Sequence, residues 1–319
     1  MFVSILLIVV GFVLLIKGAD LLVDGSSSIA KKFNIPEIII GLTIVSIGTS
    51  MPELFVSTAS AIKGSSDMAL GNIIGSNICN LLLILGLSAM IRPVKFQRET
   101  RLIEIPICLA ITIIFAIFCN TNGQISRIEA AILIVLFIMF IIYTIFMGKK
   151  GKSFDKDEVV EETKADEKQI SILKSIIYVI LGVIGLKIGG DLTVDNATII
   201  ARMFNVSEKV ISLTILAVGT SLPELVTSVM AAKKGNSDIA IGNIIGSNIF
   251  NILLIIGLSA MIFPLAYNYT YNIQMWILIA STMVLSIFPI LPPKNEMCRF
   301  NGFTYILIYI GYMAMLFVV

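Results

Sequence analysis

The segment "GTSMPELFVS", residues 48–57, lies inside an apolar run, and it returns as "GTSLPELVTS", residues 219–228, inside another. Each places a proline and then a glutamate where a membrane-crossing helix favours uninterrupted apolar side chains. Sliding the sequence on itself by 171 residues extends the match. Residues 42–93 align with 213–264 at 35 identical positions of 52, with "GNIIGSNICN" (71–80) on "GNIIGSNIFN" (242–251) and "GLSAMIRP" (86–93) on "GLSAMIFP" (257–264). One structural unit is used twice.

The surrounding composition says where that unit resides. The 319 residues are 57% hydrophobic and 14% charged, with a mean hydropathy of +0.98, which is the balance of an all-α polytopic membrane protein. Runs long enough to cross a bilayer as helices fall at about 2–16, 38–62, 68–91, 102–119, 126–147, 171–190, 209–232, 238–262, 273–291 and 303–319. That gives ten transmembrane helices, five on each side of a charged stretch. With an odd number per half, the second copy enters the membrane from the opposite side. The expected plan is therefore two inverted five-helix repeats with broken central helices, as in secondary transporters that bind cargo near the midplane. Residues 1–147 form the first repeat, 148–170 a cytoplasmic linker and 171–319 the second repeat, together one integrated membrane domain.

The start, "MFVSILLIVVGFVLLIKGAD", has no basic leading region or cleavage site and reads as a retained first helix. With the N-terminus outside, the cytoplasmic loops at 17–37, 92–101, 148–174, 233–234 and 292–300 hold 18 of the 23 Lys and Arg. The expectation is a multi-pass protein of the cell (cytoplasmic) membrane with both termini extracytoplasmic. The chain has no histidine, so an imidazole metal site is excluded and a proton relay would need carboxylates. Cys79, Cys108, Cys119 and Cys298 form no metal or disulfide spacing and read as small apolar side chains. The basic residues sit in loops rather than on one face, so nucleic acid is not a partner. In the linker, "DKDEVVEE" is not a calcium-binding EF-hand loop, because Val160 stands where glycine is required.

The chemistry lies in the repeated spans. Pro52 has no N–H for the carbonyl of Gly48, and Gly48 adds backbone freedom, so the helix should break there. The freed carbonyls are tolerated only where they line a protein-enclosed cavity. Ser46, Thr49, Ser50, Glu53 and Ser57 recur at three- and four-residue steps and form an oxygen-bearing stripe. In the second copy the stripe is Thr220, Ser221, Glu224 and Ser228, with Ala217 in place of the first serine. The companion spans carry Asn72, Ser76 and Asn80, and Asn243, Ser247 and Asn251, each at four-residue steps. Gly71 with Gly75, and Gly242 with Gly246, also read as GxxxG, the mark of closely packed membrane helices.

A membrane-centre charge costs at least ~2.5 kcal/mol, so two glutamates there need a common purpose: both face one cavity and share a cation. Carboxylate, carbonyl, hydroxyl and amide oxygens form a hard-ligand set suited to calcium or sodium. An empty cavity with two negative charges is penalised on passing through a dehydrated state, and a loaded one is not. Obligatory exchange follows.

On these residues the chain resembles the prokaryotic sodium/calcium exchangers of the cation/calcium antiporter superfamily, whose repeats carry GTS-x-PE and GN-x-x-GSN. The resemblance implies antiport of sodium for calcium by alternating access, with the first helix of each half sliding past the core. It implies that Glu53 and Glu224 ligate calcium, helped by backbone oxygens at Thr49 and Thr220. Ser46, Ser50, Ser76, Asn80, Ala217, Ser221, Ser247 and Asn251 would complete the sodium positions, some through backbone carbonyls. The protein would not be an enzyme and would use no cofactor. Its partners would be Na+ and Ca2+, as transported ions, and the lipid bilayer, with no obligatory protein partner. Some archaeal relatives have Asp where this chain has Asn251, and potassium-dependent members also use an acid in the second repeat, so potassium cotransport is not expected. Proton-coupled relatives carry a glutamate where Gly75 and Gly246 stand, which leaves a proton/calcium (or other divalent cation) antiporter as the alternative.

Other carboxylates read as ordinary. Asp20, Asp24, Asp191 and Asp195 are expected as solvated charges just beyond the first span of each half. Asp67 and Asp238 are expected as helix N-caps. Glu104 and Glu129 fall near span ends, facing headgroups or water. A membrane aspartyl protease would need paired Asp groups near water, and a channel with a carboxylate ring would not need inverted repeats.

Overall fold

A computed structural model describes residues 1–150, 171–204, 217–290 and 294–318. The first part of the span expected at 209–232, and nearly all of the 148–170 linker, lie outside these residues. The described chain is mostly helical. Seven of its helices are long and apolar enough to cross a membrane, or eight when a bent pair is taken as one span.

The helices are α1 (Phe2–Phe33), α2 (Glu37–Thr49), α3 (Met51–Ile62), α4 (Ser66–Ile91), α5 (Thr100–Thr121), α6 (Arg127–Lys150), α7 (Ile172–Met203), α8 (Ala217–Thr220), α9 (Leu222–Lys234), α10 (Ser237–Ile262), α11 (Tyr269–Ile287) and α12 (Arg299–Val318). Two antiparallel two-residue pairs clip loops together: β1 (Val94–Lys95) with β4 (Glu296–Met297), and β2 (Gln124–Ile125) with β3 (Leu265–Ala266).

The centre is α4 and α10. Of their most apolar stretches 78% and 94% is buried, against 22–39% for the other unbroken spans, whose apolar faces look outward. The two central helices are the ones carrying the asparagine and serine motifs, so the polar groups fall where lipid is farthest away. α10 packs on α2, α6 and α3, and α4 packs on α3, α9 and α12. The approach of α10 to α2 depends on glycine: a Cβ at Gly242 would stand 2.7 Å from the Ile38 carbonyl oxygen, and one at Gly246 2.7 Å from that of Leu42. For this second-copy pair the GxxxG reading holds as close packing.

α1 and α7 lie against each other along their length. Each is a single 32-residue helix, about 48 Å long at ~1.5 Å per residue. The spans expected to end near residues 16 and 190 therefore run on. The reason is that Lys17, Asp20 and Asp24 occupy one side while Leu15, Ala19, Leu22, Val23, Ile29 and Ala30 continue a buried face on the other. Asp20 and Asp24 thus do not follow the helix but sit within it, and both pair with Lys234, Asp24 at 2.6 Å. Asp191 pairs with Lys187 at 2.7 Å along α7.

Three smaller expectations are corrected. Asp67 and Asp238 are not N-caps: Ser65 and Asn236 hold those positions and the aspartates lie in the first turn, where a negative charge still favours the helix dipole. Glu104 does not face water or headgroups but is fully buried, with neither carboxylate oxygen hydrogen-bonded. Glu129 is buried too, and accepts from the N–H and hydroxyl of Ser126, both at 2.8 Å, while its own N–H points to the Ser126 hydroxyl. That is a capping box at the start of α6.

Candidate functional site

The expected break is present: α2 and α3 meet at a 51° bend. The hinge is Ser50, with φ −83° and ψ 10°, and Pro52 occupies the first turn of α3, where its missing N–H costs no helical bond. In the second copy Ser221, at φ −86° and ψ 6°, divides α8 from α9 in the same way, with Pro223 following. Each glutamate therefore stands in the first turn of a half-helix inside the protein. Glu53 is 1% exposed and Glu224 0%.

The two breaks face each other, and each hinge serine reaches the opposite acid. The Ser50 hydroxyl donates to Glu224 Oε1 at 2.8 Å, and the Ser221 hydroxyl donates to Glu53 Oε1 at 3.3 Å. From α4, the Ser76 hydroxyl lies 3.4 Å from the same Glu53 oxygen. The threonines engage the opposite companion helix: Thr49 donates to Asn243 Oδ1 at 3.0 Å and Thr220 to Asn72 Oδ1 at 3.3 Å. Those asparagines in turn donate to Ser228 and Ser57. Asn72, Asn243, Ser57 and Ser228 thus brace the breaks rather than face the acids.

Of the expected site residues, then, Glu53, Glu224, Ser50, Ser221, Ser76, Thr49 and Thr220 gather around the facing breaks. Ser247 is fully buried with an unpartnered hydroxyl, one turn from Asn251 as Ser76 is from Asn80. The Ser46 hydroxyl is held by its own helix, donating to the Leu42 carbonyl at 2.8 Å. Ala217 begins α8, and the residues before it lie outside the described ones.

What remains unsatisfied is informative. Buried polar atoms are almost always hydrogen-bonded, yet Glu53 Oε2, Glu224 Oε2, Asn80 Oδ1, Asn251 Oδ1 and the Ser247 hydroxyl are buried without partners. Four of these five are oxygens that only accept. An accumulation of acceptors with no donor is an arrangement a cation completes. Asn80 and Asn251 moreover sit in wide π-helical turns, Cys79–Ile84 and Asn251–Ile256, in the two central helices. Such turns break the regular ladder and recur at functional sites.

Sequence reasoning missed Asn77 and Asn248. Both are buried, and they join the central helices through paired amide contacts, Asn80 Nδ2 donating to Asn248 Oδ1 at 3.0 Å and Asn251 Nδ2 to Asn77 Oδ1 at 2.9 Å. The signal was present as the last residue of each "GSN", one position off the serine and asparagine stripe.

Comparison with known proteins agrees in both halves. Residues 3–146 and 174–318 match the family described as sodium/calcium exchanger protein. The chain is 37% identical over 275 residues to the inner membrane protein YrbG of Escherichia coli (strain K12), covering 84% of each chain. It is 33% identical to the sodium/calcium exchanger MaX1 of Methanosarcina acetivorans, covering 99% of each. Among solved structures, the sodium-calcium exchanger NCX_Mj soaked with 2.5 mM Na+ and 0.1 mM Ca2+ superposes with a TM-score of 0.85 at 32% identity, over 98% of both chains.

Proposed function

Because the chain belongs to the sodium/calcium exchanger family, we propose that it is a secondary active antiporter that exchanges sodium for calcium across the cell membrane by alternating access. The observation that carries this reading is the pair of buried glutamates at the facing breaks, each with Oε2 lacking a donor, together with the equally unpartnered amide oxygens of Asn80 and Asn251 on the two central helices. In the proposed site both carboxylates hold calcium with the backbone oxygens of Thr49 and Thr220. Ser46, Ser50, Ser76, Asn80, Ala217, Ser221, Ser247 and Asn251 provide the sodium positions. Calcium and sodium are cargo, and no cofactor takes part.

The architecture proposed for this activity is ten transmembrane helices in two inverted repeats, 1–147 and 171–319, joined by a cytoplasmic linker, with both termini extracytoplasmic. The reciprocal contacts Ser50–Glu224 and Ser221–Glu53, and Thr49–Asn243 and Thr220–Asn72, support such a two-fold relation. Coupling follows from electrostatics. Two unit charges ~4 Å apart interact by ~4 kcal/mol at an effective dielectric near 20, so occlusion of the empty cage is opposed by repulsion and desolvation. Calcium, or sodium ions replacing it, cancels both, and only the loaded carrier changes sides.

The test is radioactive calcium uptake into proteoliposomes preloaded with sodium, then repeated with an outward proton gradient at equal sodium. Sodium-driven uptake is expected. Uptake that follows the proton gradient alone would assign proton coupling instead, and conduction without any counter-ion would assign a channel.

A further inference from the structure

Asn77 and Asn248 are fully enclosed, share no hydrogen bond with either glutamate, and are bound to the unpaired-oxygen asparagines of the opposite central helix. A primary amide has an accepting end and a donating end of nearly equal size, so packing alone does not choose which end faces a cavity. The choice must come from a partner that can act in one sense only. A backbone carbonyl is such a partner.

The Asn248 carbonyl oxygen lies 3.3 Å from Asn77 Nδ2, and the Asn77 carbonyl oxygen lies 3.3 Å from Asn248 Nδ2. Each carbonyl fixes the donating end of the opposite amide, which turns the accepting end outward. Asn77 Oδ1 then receives Asn251 Nδ2 at 2.9 Å, and Asn248 Oδ1 receives Asn80 Nδ2 at 3.0 Å. With their donating ends held, Asn251 and Asn80 leave Oδ1 unpartnered. Two main-chain carbonyls thereby set the sense of four amides.

We propose that Asn77 and Asn248 are positioning residues that force the oxygen, not the NH2, of Asn251 and Asn80 toward the cation, each acting across to the ligand of the other repeat. The proposal rests on the cage binding cations as set out above. Without Asn77, the Asn251 amide is free to turn its NH2 toward the unpaired glutamate oxygens, where it competes with the cation instead of ligating it. A carboxylate has no wrong end, so an aspartate at 251 needs no positioning residue.

The test is equilibrium binding of radioactive calcium to the purified full chain in detergent, for wild type, Asn77→Ala, Asn251→Asp and the double variant Asn77→Ala/Asn251→Asp, with the mirror set Asn248→Ala, Asn80→Asp and their double. Asn77→Ala is expected to weaken calcium binding about tenfold, whereas in the Asn251→Asp background, where Asn77 Oδ1 has no amide N–H left to accept, the same substitution is expected to cost nothing. If Asn77→Ala costs the same factor in both backgrounds, or none in wild type, the positioning role is overturned. Glu53→Gln and Glu224→Gln are measured beside them. Undiminished calcium binding by those two would remove the cation cage itself, whereas their loss of binding with an unaffected Asn77→Ala removes only the positioning role. Each variant is compared at equal monodisperse recovery, and where alanine lowers the yield Asn77→Ser takes its place in both backgrounds.

Discussion

At the scale of single residues, the cage is a region where stability and affinity pull in opposite directions. Glu53 and Glu224 each keep one oxygen buried without a partner, and a buried charge lacking full compensation destabilises the fold. Glu53→Gln and Glu224→Gln remove that charge with little change in shape. Both are therefore expected to melt, without cations, at or above the wild-type temperature, and to lose sodium-driven calcium uptake. Calcium at about a hundred times Kd stabilises a binding-competent protein by ~2.7 kcal/mol, and the two variants should forfeit that upward shift. Thermal melting of the purified protein with and without calcium checks both statements. An unchanged calcium shift in either variant would contradict the shared cage. These two acids were legible from sequence because a glutamate after a proline inside an apolar run has few structural uses. Asn77 and Asn248 were not, since their role depends on a main-chain carbonyl 171 positions away. Glu104 misled for the opposite reason: its sequence position is near a span end, but the side chain is enclosed by its neighbours.

At the scale of elements, the close approach of α1 to α7 depends on absent side chains. A Cβ on Gly18 would lie 2.9 Å from the Gly182 carbonyl oxygen, and one on Gly182 would lie 2.8 Å from that of Gly18. These obstacles are backbone, so repacking a neighbouring rotamer gives no relief. Gly18→Leu and Gly182→Leu should each lower the melting temperature and the monodisperse yield, by more than the ~1–3 kcal/mol of ordinary overpacking. Gly311, where an added Cβ meets nothing within 4 Å, supplies the control, and Gly311→Ala should leave both quantities unaltered. Fluorescence-detected size-exclusion after a heating series would rank them. The break at Pro52 could be read from sequence because it follows from the missing N–H. The true length of α1 could not, because an averaged hydropathy registers Lys17, Asp20 and Asp24 as an end, whereas a helix segregates them to one side. The two-residue strands were equally hidden. Their partners lie about 140 and 200 positions apart, and nothing in two residues announces a distant ladder.

At the scale of the whole molecule, the two halves agree in sequence and differ in contact. Lys234, at the end of α9, pairs with Asp20 and Asp24 of α1, and α1 packs along α9. The 171-residue offset places Lys63 opposite Lys234, and Asp191 and Asp195 opposite Asp20 and Asp24. Among the described residues, however, no ion pair joins Lys63 to those aspartates, Asp191 is held by Lys187, and α7 has no comparable packing on α3. Under the proposed alternating access, such an imbalance is what one access state looks like, and the opposite state carries it reversed. Partly exposed pairs contribute only ~0.2–1 kcal/mol each, too little to matter for folding. The same amount matters for a balance between two states, because ~1 kcal/mol changes a population ratio about fivefold, and apparent affinity follows the competent fraction. Lys234→Gln is therefore expected to leave the melting temperature nearly unchanged while favouring the state in which α1 has left α9. In sided proteoliposomes the apparent calcium affinity should rise, by up to about fivefold, on the membrane face that carries Lys234, and fall on the other. Lys63→Gln should produce the reverse pattern. Both effects should shrink as ionic strength is raised toward ~1 M with an impermeant salt, where the screening length of ~3 Å approaches the separation of the paired charges. If both variants shifted affinity in the same direction on the same face, the two lysines would not be serving as counterparts of one antisymmetric device.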